Sequence, residues 1–92
     1  MIYVVEDDKA IRNLVLYALS EKDYQVKGFE DGLDIVDLVR KESVDLLILD
    51  VMLPEKDGLE ILKEIREFST VPIIMLTARD GEYDKVLGLE SG

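Results

Sequence analysis

Hydrophobic and polar positions along the chain fall into two kinds of pattern that alternate. Ile2-Tyr3-Val4-Val5, Leu46-Leu47-Ile48-Leu49 and Ile73-Ile74-Met75-Leu76 are short unbroken apolar runs bounded by polar residues. Runs of this length predict strands buried on both faces, as in a parallel sheet. Tyr24 to Phe29 alternates weakly and has room only for a short, edge-type strand. Between the runs the period changes to that of a helix. Ala10, Ile11, Leu14, Val15, Ala18 and Leu19 predict an amphipathic helix over about 9–21, with Asp7 or Asp8 placed to cap its first turn. Asp31-Gly32 opens a second helix carrying Leu33, Val36 and Val39 inward, with Arg40-Lys41 favourable near its C-terminus. After the turn-rich loop Leu53 to Gly58, Asp57 and Glu60 resemble a capping box. The helix they open runs to about Phe68, with Ile61, Leu62 and Ile65 as its apolar stripe. A last helix is predicted over roughly Glu82 to Glu90, with Gly92 suited to its C-terminal cap.

Strand and helix alternate four times, which predicts an α/β fold with a parallel sheet covered on both sides. The run at 73–76 is apolar on both faces, yet no strand follows to lie beyond it. Long apolar edge strands are sticky and are normally covered. The chain therefore reads as ending one strand–helix unit early, with that edge covered by a second chain or by strand exchange.

A length of 92 residues holds one domain, and an apolar share of 48% is that of a globular chain. Net charge is −10, from 21 acidic against 11 basic residues, which disfavours nucleic acid and anionic membranes as partners. Absence of cysteine excludes disulfides and thiolate metal sites. No signal peptide or membrane-spanning apolar stretch is evident, and a cytoplasmic location is expected by default.

The candidate chemistry lies where the strands end. Asp50 closes the run 46–49, and Glu6-Asp7-Asp8 closes the run 2–5. Open α/β sheets bind ligands at the carboxyl ends of their strands. Adjacent strands ending this way gather three or four carboxylates in one crevice, and a hard divalent cation is the partner such crowding needs. Taken alone, an Asp after a strand is often a turn former or a cap. Asp57 reads as a cap rather than a ligand, and Met52 and Met75 as loop and core packing.

The joint pattern resembles the receiver domain of two-component response regulators along the whole chain. It is carried by Val4-Val5-Glu6-Asp7-Asp8, by Leu49-Asp50-Val51-Met52-Leu53-Pro54 with Asp57-Gly58, and by Pro72-Ile73-Ile74-Met75-Leu76-Thr77-Ala78-Arg79. The resemblance implies a flavodoxin-like (CheY-like) parallel sheet with helices on both faces, here about four βα units with strand order 2-1-3-4. It implies that Asp50 accepts a phosphoryl group from the phosphohistidine of a sensor histidine kinase. Mg2+ would be held by Asp7 directly, by Glu6 through water, by Asp50 and by the Met52 backbone carbonyl. The Thr77 hydroxyl and the Ala78 backbone N–H would contact the phosphoryl oxygens. The segment from Leu76 to Gly92 looks most like the winged-helix subfamily of transcription regulators. Residues 1–92 then form a receiver domain lacking its last strand and helix, with no DNA-binding domain in this chain. The family's lysine on the fifth strand is absent, so impaired phosphorylation and switching are expected, with a homodimer or strand-exchanged oligomer at the open edge. The reading is of a signalling acceptor, not an enzyme.

Three other readings compete. A flavin-binding domain of the same strand order needs a Gly- and hydroxyl-rich phosphate loop after the first strand, where this chain has three acids. An aspartate-nucleophile phosphohydrolase needs a second Asp where this chain has Met52. A non-signalling structural or engineered fragment of a receiver is the third.

Overall fold

The structure is a computed structural model that describes residues 1–53 and 55–76, together with the backbone of Val86–Leu89. Four strands run parallel: β1 (Ile2–Val5), β2 (Val26–Phe29), β3 (Leu46–Asp50) and β4 (Ile73–Leu76). Their order across the sheet is 2-1-3-4, as expected. Helices α1 (Lys9–Ser20), α2 (Ile35–Lys41) and α3 (Gly58–Arg66) make the connections.

The period-two alternation of the strands divides the interior in two. Tyr3, Val5, Leu47, Leu49, Ile73 and Met75 face α2 and α3, where Ile35, Val36, Val39, Ile61 and Ile65 complete the larger core. Ile2, Val4 and Ile48 face the other way, and Val15, Leu16 and Leu19 of α1 pack on them. Both faces of the sheet are thus covered by helices. On the larger side the buried Tyr3 hydroxyl donates to the Glu42 carboxylate, tying β1 to the C-terminal cap of α2. Burial pushes the Tyr3 phenol up to about 12, helped by this carboxylate, so the proton stays on oxygen and the bond persists at neutral pH.

Two helices meet the core differently from expectation. In α1, Leu14 is 66% exposed and Ile11 is also exposed. The inward stripe is set by Arg12, Val15, Leu16 and Leu19, because Arg12 and Leu16 lie over Gly28 of β2. Leu33 does not point inward and is 53% exposed. The Asp31 carboxylate accepts from the Leu33 N–H at 3.1 Å, a local turn that delays α2 until Ile35. Ile35 takes the buried position that Leu33 was expected to fill.

The third correction concerns the edge. Val86–Leu89 is a strand, β5, antiparallel to β4, with Ile74 opposite Leu89 and Leu76 opposite Val86. These residues were expected to be helical. The rest of the predicted helix, residues 82–85 and Glu90, lies outside the described residues, as does Gly92. The physical reason for the change is non-local: β4 offers a row of backbone donors and acceptors that a strand satisfies and a helix does not. The edge expected to be covered by another chain is covered here by this chain's own backbone.

Candidate functional site

The parallel register pairs Val5 with Leu49, so Glu6 and Asp50 follow side by side at the carboxyl edge of the sheet. Both fall on the same alternation as Ile2, Val4 and Ile48, the side covered by α1. Asp7 joins them from the start of the β1–α1 turn. Each of the three offers a carboxylate oxygen, and these oxygens lie within 4.8 Å of one another. Glu6 is 6% exposed and Asp50 7% exposed, whereas Asp7 opens to solvent.

The choice between Asp7 and Asp8 as helix cap decides which acid is left for the site. Asp8 is the cap: its Oδ1 accepts from Ala10 N–H at 2.9 Å and Ile11 N–H at 3.1 Å. Its own N–H donates to Glu6 Oε2 at 3.0 Å. Asp7 is thereby free of the capping role. On the other strand the Met52 N–H donates to Asp50 Oδ1 at 3.1 Å, fixing the carboxylate's orientation.

The β3–α3 loop is folded tightly against Asp50. Gly58 N–H donates to the Val51 carbonyl at 3.0 Å, and Val51 N–H to the Leu76 carbonyl at 2.9 Å. A Cβ on Gly58 would sit 2.4 Å from the Asp50 carbonyl oxygen and 2.9 Å from Val51 Cα. Glycine is therefore required by close approach of backbone to backbone. Asp57 caps α3, accepting from Leu59 N–H at 2.8 Å and Glu60 N–H at 3.3 Å, as its spacing predicted.

Burial and mutual repulsion leave the acids poorly able to share their negative charge. Desolvation pushes Glu6 up to about 7; the Asp8 N–H opposes this, and the Asp50 and Asp7 charges reinforce it. Asp50 is also raised, chiefly by desolvation, against the lowering effect of the Met52 N–H and of a hydrogen bond with Glu6. Among the described residues no cationic side chain is paired with any of the three carboxylates. A donor set of oxygen alone, two members buried and one at the rim, suits a small hard divalent cation that keeps several waters. Thiolate- or imidazole-seeking metals find no ligand here.

The family model described as the response regulator receiver domain matches residues 2–92. The chain belongs to this family. Among solved structures, the receiver domain of Francisella response regulator 1452 is similar with a TM-score of 0.79 at 29% identity, over 86% of this chain and 66% of that one. The response regulator TrrA from Thermotoga maritima, solved in complex with Mg2+ and BeF, has a TM-score of 0.79 at 36% identity, over 86% of this chain and 70% of that one. The chain thus spans about two thirds of the length of these two structures. The flavodoxin-like receiver fold expected from sequence is the fold observed.

Of the residues expected in the receiver site, the structure brings Glu6, Asp7 and Asp50 together. Met52 follows directly, its N–H on Asp50 and its side chain 56% exposed. Thr77 and Ala78 lie outside the described residues. The sequence pattern marks the Asp57-Gly58 pair as a turn, a cap and part of the receiver resemblance, but not the backbone contact that makes Gly58 necessary. No helix among the described residues is long and apolar enough to cross a membrane.

Proposed function

We propose that this receiver domain accepts a phosphoryl group on Asp50 from the phosphohistidine of a sensor histidine kinase, with Mg2+ held by Glu6, Asp7, Asp50 and the Met52 backbone carbonyl. The observation that carries this is the convergence of three carboxylates, two of them buried, with no cationic side chain paired to them among the described residues. The TrrA structure, with Mg2+ and BeF, supports the reading. Bound Mg2+ would supply charge neutralisation between the acceptor carboxylate and the incoming phosphoryl oxygens.

The rest of the chemistry belongs to this chain's residues. Met52 N–H holds one Asp50 oxygen and orients the carboxylate. An Asp50 oxygen attacks phosphorus while the bond to the donor imidazole nitrogen breaks, and that nitrogen leaves with the electron pair. The product is an acyl phosphate. The Thr77 hydroxyl and Ala78 N–H are assigned to the phosphoryl oxygens. The domain acts as an acceptor and not as a turnover enzyme, because Met52 stands where a phosphohydrolase of this type needs a second acid. Its parent is proposed to be a cytoplasmic transcription regulator of the winged-helix subfamily. The net charge of −10 fits a protein partner better than a polyanion for this segment.

Incubation with acetyl phosphate and Mg2+, followed by intact mass, tests the assignment. One phosphoryl mass increment is expected on the native chain, lost with Asp50→Asn and with chelator. Equal labelling of Asp50→Asn would overturn it.

A further inference from the structure

The acidic pocket has a basic neighbour that bonds to its backbone instead of its carboxylates. Arg12 Nη1 donates to the Glu6 carbonyl oxygen at 2.8 Å. That carbonyl belongs to the peptide joining Glu6 to Asp7, so its plane governs the direction in which both acids leave the chain. The same residue's N–H donates to the Phe29 carbonyl at 3.0 Å, and its carboxylate accepts from Asp8. Arg12 thus completes a set of contacts holding Glu6 from β2, from the cap of α1 and from the first turn of α1.

The reach of Arg12 depends on Gly28. A Cβ at Gly28 would stand 3.2 Å from Arg12 Cδ, 3.3 Å from Arg12 Cγ and 2.8 Å from Leu16 Cδ1. Gly28 is paired with Val4 in the sheet, and a strand interior is an unfavourable place for glycine unless something approaches closely. Here the apolar stem of Arg12 lies over the gap and carries the guanidinium to the end of β1.

We propose that Arg12 is a positioning residue of the acidic site: it locks the Glu6–Asp7 peptide so that both carboxylates face one cation, and Gly28 is the space that admits its stem. This deepens the proposed Mg2+-dependent phosphoacceptor function and rests on it.

Mn2+ titration, followed by loss of the free ion's EPR signal well below the melting temperature, tests the role. With the full chain as it stands, Arg12→Ala is expected to weaken Mn2+ binding by about tenfold. Arg12→Lys, which keeps a donor on a long stem, is expected to recover most of this loss. Gly28→Val, which leaves Arg12 in the sequence but obstructs its stem, is expected to weaken binding in the same direction. Native affinity in folded Arg12→Ala would overturn the proposal, whatever happened to its melting temperature. Should Arg12→Ala not fold, Arg12→Met, which keeps an apolar stem but has no donor, decides by the same criterion. Failure of the native chain itself to bind Mn2+ would overturn the metal-site reading and this inference together, and so differs from failure of the inference alone.

Discussion

Glu6 shows how a single carboxylate can link the site to the stability of the whole fold. Its proton is held to about pH 7 in the folded chain, against 4.5 for the ordinary group. Between those values the folded protein binds more protons than the unfolded one, so metal-free stability falls as pH rises. Integrated over the window, the loss is on the order of 3 kcal/mol, and burial of Asp50 acts in the same direction. Urea unfolding at a series of pH values is expected to show this decline, Glu6→Gln to flatten it, and Mg2+ to reverse it above pH 7 by binding only the folded state. Gly58 acts through sterics. Gly58→Ala forces a Cβ against the Asp50 carbonyl, with an expected cost of about 1–3 kcal/mol in thermal or urea unfolding, together with weaker Mg2+ binding because Asp50 must move. Glu6 and Asp50 were legible in sequence because each ends an apolar run. The demand for glycine at 58 was not, because the atoms it avoids belong to the backbone eight residues earlier.

Elements carry their own signals at their ends. Asp57 caps α3 as its spacing to Glu60 implied, while at α1 two adjacent acids left the cap undetermined. The extended backbone at Asp8 and its bonds to Ala10 and Ile11 settle it. Replacing Asp8 with Ala is expected to lower stability by about 1 kcal/mol yet leave Mg2+ affinity nearly unchanged, since the residue lies outside the carboxylate trio. Calorimetric titration of Mg2+ alongside thermal melting checks both halves; a large drop in affinity would mean the cap and the ligand had been misassigned. The start of α2 and the inward stripe of α1 were misread for a common reason. Periodicity reports that a segment is a helix with an apolar side, but an Asx turn or a glycine on a neighbouring strand chooses where it begins and which side packs.

For the whole molecule the decisive feature is the sheet edge. Strands β2, β1, β3 and β4 form the parallel core, and β5 closes it with the opposite direction. Leu89→Pro removes a backbone N–H from β5, opposite Ile74. It is expected to free the edge of β4 and produce concentration-dependent association in sedimentation velocity beyond that of the native chain, whereas sedimentation identical to the native chain would show that the pairing does not protect that edge. The acidic net charge of −10 opposes such association, so the effect should grow as salt screens it.

By itself the sequence determined the local facts: where the four parallel strands and the three helices between them fall to within a few residues, which positions are apolar, and that carboxylates close two of the strands. These follow from periods of about 2 and 3.6 residues, which any short window contains. Tertiary structure decided everything that depends on residues distant in the chain. It set Glu6 beside Asp50 through the β1–β3 register, selected Asp7 over Asp8 for the site, and laid Arg12 across Gly28 to the Glu6 carbonyl. It also turned a predicted helix at 86–89 into an edge strand, because the unpaired backbone of β4 outweighed a local preference.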